Sequence, residues 1–157
     1  MKFLTYCLLL FLFFLQSCKE EGVVFNDFVK IEESSWKYKD KVSFNFNISD
    51  TINAYDVYLQ LRNTKAYNWS NIYIFSDINY PNAKIRRDTF EFYLTDKKGH
   101  WLGKKSGNII ENEFLLFKAT KFPITGAYNI VIQQAMRDTS LEECINVGVK
   151  IKQSKRP

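Results

Sequence analysis

Apolar and polar residues alternate one by one in six separate stretches of this sequence, and no other feature constrains the fold as strongly. In residues 42–48, four apolar residues are separated by Ser43, Asn45 and Asn47. A period of two puts the apolar side chains on one face of a β-strand and the polar ones on the other. The same alternation predicts strands within residues 57–62, 69–80, 89–95, 128–132 and 145–152.

Turn-forming residues separate these runs, as in Ser49-Asp50, Tyr80-Pro81-Asn82 and Thr125-Gly126. Roughly seven to nine short strands predict an all-β fold, an antiparallel two-sheet β-sandwich, because a single sheet would leave its apolar face in water. Alternation leaves the choice between immunoglobulin-like and jelly-roll topology open. In the last strand, the pattern predicts that Lys150 and Lys152 face outward.

The first eighteen residues have the pattern of a bacterial lipoprotein signal. Residues 3–15 are apolar apart from Thr5, too short a run for a membrane span of ~20 residues, and they lead into Leu15-Gln16-Ser17-Cys18. A cysteine behind a small residue resembles the lipobox, which predicts cleavage before Cys18 and lipid attachment to its sulfur. The competing interpretations are an ordinary secretory peptide and an N-terminal membrane anchor.

This signal sets the expected organisation and the expected partners. We predict a lipoprotein signal peptide at 1–17, a lipidated tether at 18–22 and a single β-sandwich domain at 23–157. Export argues against nucleic acid as a partner. The formal net charge of +5 is compatible with lipid headgroups, acidic glycans or protein surfaces, and it singles out none of them.

The cysteines and the lone histidine argue against enzyme chemistry. Cys7 leaves with the signal and Cys18 would carry lipid, so Cys144 has no disulfide partner, and a buried apolar role is expected for it. His100 alone cannot build a multi-histidine metal site, and no familiar catalytic motif is present. The sequence therefore predicts no enzyme, no catalytic residues, no metal and no cofactor.

Residues 97–113 are predicted to form a long connection, and such connections are often functional. It carries a candidate interaction site made of His100, Trp101, Lys104 and Lys105, in which a tryptophan among cations would bind a sugar ring or a protein. In the alternative interpretation, Trp101 packs on the sandwich edge, the lysines are solvated, and Ile109 and Ile110 add a short strand.

An aromatic cluster supports an alternative function, a surface or periplasmic carbohydrate-binding lipoprotein. The cluster consists of Tyr55, Tyr58, Tyr67, Trp69 and Tyr73. Exposed rings of this kind would bind a glycan, but aromatic residues also fill cores and favour strands. The sequence does not choose between these uses.

Several short motifs occur in an order that resembles the gliding-motility lipoprotein GldH family of Bacteroidetes. They are Asp88 to Asp96, Gly99-His-Trp-Leu-Gly103, Gly107, Phe117-Lys118, Phe122-Pro123, Gly126-Ala-Tyr128, Gln134-Ala-Met-Arg-Asp138 and Val147-Gly148, together with Trp36 and the stretch Tyr55 to Pro81. The resemblance implies a non-catalytic, lipid-anchored outer-membrane protein that contacts other envelope lipoproteins of the gliding and type IX secretion machinery. It transfers one site only, Cys18.

Two further details stay open. Lys19-Glu20-Glu21 resembles the export signal of surface lipoproteins in some Bacteroidetes, or it is a solvated tether, so the periplasmic or surface face is undecided. Asp50-Thr51-Ile52 matches a pattern of O-glycosylation at Thr51, but a turn held by the Asp50 side chain is the favoured interpretation.

Overall fold

A computed structural model describes residues 20–154, and these residues form two packed antiparallel sheets. Cys18 and the predicted signal peptide lie outside the described residues. In chain order the strands are β1 Val23–Lys30, β2 Ser35–Lys37, β3 Val42–Ile48, β4 Tyr55–Thr64, β5 Asn71–Asn79, β6 Ile85–Tyr93, β7 Lys104–Ser106, β8 Ile109–Thr120, β9 Gly126–Gln134, β10 Ser140–Glu142 and β11 Cys144–Gln153. A short 3-10 turn, Glu32–Ser34, lies between β1 and β2.

The predicted β-sandwich is confirmed, and the structure supplies the strand order that alternation left open. One sheet has the order β1-β11-β4-β8-β7 and the other the order β3-β9-β5-β6, while β10 and β2 form a separate two-stranded ribbon. All paired strands are antiparallel. Neighbours in a sheet are often distant in sequence, as β1 and β11 are.

The core lies between the sheets and is built from the inward face of each alternating strand. In β3 every second residue is buried, and β4 and β5 follow the same rule. Rings close both sides of the sandwich: Phe92 of β6 stacks on Phe114 of β8 with ring centroids 4.5 Å apart, and Phe25 of β1 meets Phe46 at 5.7 Å. The ribbon adds the fully buried Trp36, whose indole N–H donates to the Asp40 carbonyl at 2.8 Å.

The connections gather at two ends of the sandwich, which we name by their position along β1. The proximal end, where β1 begins, comprises residues 20–22, 49–54, 80–84, 121–125 and 153–154. The distal end, where β1 finishes, comprises residues 31–41, 65–70, 94–103 and 135–139. The ten residues of β4 run from one end to the other, which separates the two ends by about 30 Å.

One expectation about local structure is wrong. Residues 97–113 are not one long connection, because β7 and the start of β8 form a tight hairpin there, with Lys105 opposite Ile110. Ile109 and Ile110, which were expected to form a short strand, are instead the first two residues of the long strand β8. Lys150 lies on the outer face of its sheet, as the alternation predicts, but it is only 7% exposed there.

Candidate functional site

A cavity of about 590 Å³ opens at the distal end of the four-stranded sheet, and we call it the distal pocket. Its size falls within the ~300–1,000 Å³ range of typical ligand pockets. Residues from two stretches of the sequence, 69–73 and 135–138, line it, namely Trp69, Asn71, Tyr73, Ala135, Met136, Arg137 and Asp138. The pocket therefore combines aromatic, thioether, amide and charged side chains.

Strand alternation turns Tyr73 toward this pocket. Ile72 and Ile74 are buried in the core, so Tyr73 between them lies on the outer face of β5. The Ala135 N–H donates to the Tyr73 carbonyl at 2.8 Å, which extends the pairing of β9 with β5 by one residue. The turn after β9 is thereby held against the start of β5.

The buried side chain of Gln134 shapes that turn. Its amide N–H donates to the Asp138 carbonyl at 2.9 Å, and its amide oxygen accepts the Met136 N–H at 2.9 Å. Gln134 is fully buried and its two partly buried hydrogen bonds reach backbone groups at 136 and 138, so they hold residues 135–138 in one shape. Met136 in turn accepts the Tyr73 N–H on its sulfur at 3.2 Å.

The aromatic walls of the pocket are open to solvent. Trp69 is 44% exposed and Tyr73 38% exposed, and Tyr93 on the neighbouring strand β6 is more exposed still. Large aromatic side chains exposed together are typical of binding surfaces rather than of bare protein surface. Arg137 is exposed at the rim, and Asp138 is half-buried beside it.

Glu91 orients the polar groups near the pocket. It accepts a hydrogen bond from the Asn71 amide at 2.7 Å. A hydrogen bond to Glu91, followed by burial and the nearby negative charge, raises the pKa of Tyr73, so its phenol stays protonated as a hydrogen-bond donor. The pocket thus offers a phenol, a primary amide and a guanidinium beside the aromatic rings.

The four residues of the predicted interaction loop do not converge on one site. His100 is exposed, with its Nδ1 3.0 Å from the Asp96 carboxylate, which also accepts the backbone N–H groups of Lys98 and His100. These hydrogen bonds, that of the His100 backbone first, lower the pKa of Asp96. Asp96 therefore holds a tight turn, and His100 belongs to that turn.

Trp101 packs on the sandwich edge, which agrees with the alternative interpretation of the 97–113 segment. It is half-buried against the core and pairs with Thr95 in an isolated β-bridge. Lys104 and Lys105 are exposed on the edge strand β7. Lys104 lines a separate groove of about 310 Å³ on the five-stranded sheet, with Phe28, Gln60, Arg62, Glu111, Asn112 and Glu113.

The predicted aromatic cluster is divided between the core and the distal pocket. Tyr55 and Tyr67 are buried, and Tyr58 lies on the outer face of the five-stranded sheet under the Lys150 ammonium, 5.2 Å from its ring centroid. Trp69 and Tyr73 alone line the distal pocket. Sequence reasoning missed its other wall, residues 135–138, although Gln134-Ala-Met-Arg-Asp138 was one of the motifs that carried the family resemblance.

The remaining reactive groups of the described part have structural roles. Burial, followed by the charges of Glu142 and Glu143, raises the pKa of the Cys144 thiol to about 12, so it stays a neutral, apolar side chain. Among residues 20–154, no group of histidine, cysteine and acidic side chains could hold a metal ion. The same residues contain no helix long and apolar enough to span a bilayer.

The sequence matches known proteins over nearly all of the described chain. Residues 23–151 match the family model described as GldH lipoprotein. The chain is 31% identical over 145 residues to the gliding motility lipoprotein GldH homolog of Christiangramia forsetii, covering 88% of each chain. It is 28% identical over 153 residues to the gliding motility lipoprotein GldH of Flavobacterium johnsoniae, covering 93% of this chain and 94% of the relative.

Solved structures give looser similarities. One is a non-crystalline cellulose specific carbohydrate-binding module, 11% identical, with a TM-score of 0.41, covering 87% of this chain and 93% of that chain. A superposition this loose carries no inference about function.

Proposed function

Since the chain belongs to the GldH lipoprotein family, we propose that it is a non-catalytic outer-membrane lipoprotein that supports gliding motility and the type IX secretion machinery through protein contacts. Two relatives are named gliding motility lipoproteins, and the family is not a known enzyme family. In this proposal Cys18 carries the lipid and the β-sandwich carries the contact site. The direct partner is another envelope lipoprotein of the machinery.

The observation that carries the proposal is the distal pocket. Tryptophan, tyrosine, methionine and arginine are the residues enriched at the centres of protein interfaces, and Trp69, Tyr73, Met136 and Arg137 bring all four together. The pocket is concave and mostly apolar, which suits an apolar side chain projecting from a partner protein. Its turn is held by Gln134, so binding would not first have to order it.

Complementation tests the proposal directly. In a gliding host that lacks its own copy, the wild-type chain should restore spreading and secretion, while Trp69→Ala and Tyr73→Ala should restore neither fully. Leu115→Ala is the matched control: its side chain is 41% exposed, close to the 44% of Trp69, but it lies on the opposite sheet. If both pocket variants, produced at wild-type levels, restore spreading and secretion fully, the distal pocket is not needed for the function.

Carbohydrate binding is the second candidate function, and it would use the same pocket. The exposed rings of Trp69 and Tyr73 are flanked by the Asn71 amide, a combination suited to stacking on a sugar ring and hydrogen bonding to its hydroxyl groups. Calorimetry with polysaccharides should then show saturable binding that Trp69→Ala abolishes. Crosslinking in intact cells that captures envelope lipoproteins through the pocket, with no polysaccharide bound, would favour protein contacts.

A further inference from the structure

The proximal end displays the most exposed large apolar side chain of residues 20–154. Ile52, in the connection between β3 and β4, is 80% exposed. Transfer of an exposed isoleucine side chain from water into an apolar environment lowers the free energy. The residues around Ile52 indicate which apolar environment it enters.

The connection that carries Ile52 is pre-formed. The Asp50 carboxylate accepts the N–H of Ile52 at 2.7 Å and the N–H of Asn53 at 3.3 Å, and it also bonds the Asn53 amide. The Tyr55 hydroxyl donates to the Asp50 carbonyl at 3.3 Å. These bonds confirm a turn held by Asp50, and this turn presents Ile52 to solvent.

The beginning of the described chain is fixed beside this turn. The Glu20 carboxylate lies 2.6 Å from the Lys152 ammonium and 3.4 Å from that of Lys150. The Gln153 N–H donates to the Gly22 carbonyl at 2.8 Å, and the Ser154 N–H donates to the Ala54 carbonyl at 2.9 Å. Residues 20–22 and the turn at 49–54 therefore both lie against the end of β11.

The predicted lipid attachment site is two residues from Glu20. Two residues of extended chain span at most about 7 Å, so a lipid on Cys18 would leave almost no spacer between the bilayer and the proximal end. Three exposed lysines, Lys84, Lys118 and Lys121, lie toward the same end, and within the described residues none of them forms an ion pair. Anionic headgroups attract such lysines.

We propose that the proximal end is a phospholipid-docking surface, with Ile52 inserted at the headgroup boundary and the three lysines above anionic headgroups. The proposal rests on the proposed lipidation of Cys18, which brings the bilayer to this end. Glu20 and Glu21 are the exposed acids on this surface, and Glu20 is paired with Lys150 and Lys152, whereas Asp50 and Asp56 bond neighbouring groups of the protein. End-on docking directs the distal pocket away from the membrane.

Site-specific fluorescence quenching tests the docking. Full-length Ile52→Cys is labelled with an environment-sensitive fluorophore and reconstituted in phosphatidylethanolamine–phosphatidylglycerol vesicles that contain a nitroxide-labelled phospholipid. Leu102→Cys is the matched control, because Leu102 is also highly exposed, at 61%, but at the distal end. Cys144 is buried and should not react with the label, while in the processed lipoprotein Cys7 has left with the signal peptide and the lipid-bearing Cys18 has no free thiol.

We expect several-fold stronger quenching at position 52 than at position 102, with a smaller difference in phosphatidylcholine vesicles. Equal quenching at both positions would overturn the docking surface. Palmitate labelling of the same samples separates this result from the lipid anchor: an unlabelled chain contradicts lipidation at Cys18. A labelled chain with an unquenched probe at position 52 contradicts the docking alone. Thermal unfolding of both variants checks that the fold is retained.

Discussion

At the scale of single residues, a buried amide determines the shape of the distal pocket. Gln134 closes the turn at 135–138 with two hydrogen bonds to backbone groups. Its neighbour Gln133 is also buried but bonds the Tyr38 carbonyl on the outer face of the sheet, away from the turn. These two glutamines allow the pocket's support to be tested separately from general stability.

Gln134→Leu keeps the volume of the side chain but leaves the Met136 N–H and the Asp138 carbonyl without partners. We expect a loss of about 1–3 kcal/mol in the free energy of unfolding, measured by chemical denaturation. Hydrogen exchange at residues 135–138 should become faster. Gln133→Leu, the control, should leave exchange in this turn unchanged, and equal acceleration by both variants would contradict a specific role for Gln134.

Lys150 shows where residue-level reasoning from the sequence fails. The alternation correctly puts it on the outer face of β11, but that face is not bare, because Glu20, Glu113 and Tyr58 cover it. Burial lowers the Lys150 pKa, and the hydrogen bonds and charges of Glu113 and Glu20 more than offset this and leave the pKa raised. Partners that come from distant strands cannot be read from a local pattern.

At the scale of elements, alternation predicts strands well wherever one face is buried. The run at 42–48 coincides with β3, and residues 72, 74, 76 and 78 all face the core from β5. The hairpin of β7 and β8 was missed because β7 is an exposed edge strand of three residues, without a buried face to create a pattern. Strand order was not predictable either, since it depends on contacts between segments far apart in sequence.

The candidate site shows the same contrast between features that a local pattern predicts and features that depend on long-range pairing. The sequence identified Trp69 and Tyr73 as aromatic residues suited to binding, and both line the distal pocket. It could not bring residues 135–138 to them, because that depends on the pairing of β9 with β5 across 50 or more residues, as between Asn79 and Asn129. The candidate residues at 97–113 were chosen from their composition, and composition does not tell whether their side chains lie close together.

An ion pair across two strands makes the pairing of β5 with β6 sensitive to acid. Arg87 donates two hydrogen bonds of 2.6 Å to the Asp77 carboxylate. The hydrogen bond from Arg87 lowers the pKa of Asp77 below its ordinary value of 3.8, despite partial burial. A carboxyl group with a lowered pKa stabilises the fold above its unfolded-state value, and this contribution is lost as the pH falls through the folded-state value.

We therefore expect Asp77→Asn to lower the free energy of unfolding at pH 7 by about 0.5–1 kcal/mol, since the arginine side of the pair is exposed. The difference from wild type should shrink as the pH falls below 3.8, the ordinary pKa of the carboxyl. Urea denaturation across this range measures both effects. Arg87→Gln and the double variant complete a mutant cycle, and a coupling energy that does not change with pH would contradict the assignment.

At the scale of the whole molecule, the two ends of the sandwich have different chemistry. The proximal end combines the start of the described chain with Ile52 and exposed lysines, and the distal end carries the aromatic pocket. The strands separate them by about 30 Å. This polarity suits a lipoprotein that docks on a membrane at one end and contacts a partner at the other, which is the arrangement that we propose.

The strength of each membrane contact decides which one retains the protein. Burying one isoleucine contributes about 1.5–3 kcal/mol, whereas every buried methylene of an acyl chain contributes about 0.8 kcal/mol. Docking by Ile52 alone is therefore reversible, while a multiply acylated Cys18 would be retained almost permanently. In this proposal, the docking surface orients the molecule and the proposed lipid on Cys18 retains it.

Cys18→Ser in the full chain should consequently abolish palmitate labelling and move most of the protein from the membrane pellet to the soluble fraction of the envelope. Cys144→Ala is the control: it removes a buried thiol whose pKa is raised to about 12, so labelling and pelleting should remain as in the wild type. Fractionation and immunoblotting measure both variants. Retention of Cys18→Ser in the pellet would mean that a contact other than the lipid holds this protein on the membrane.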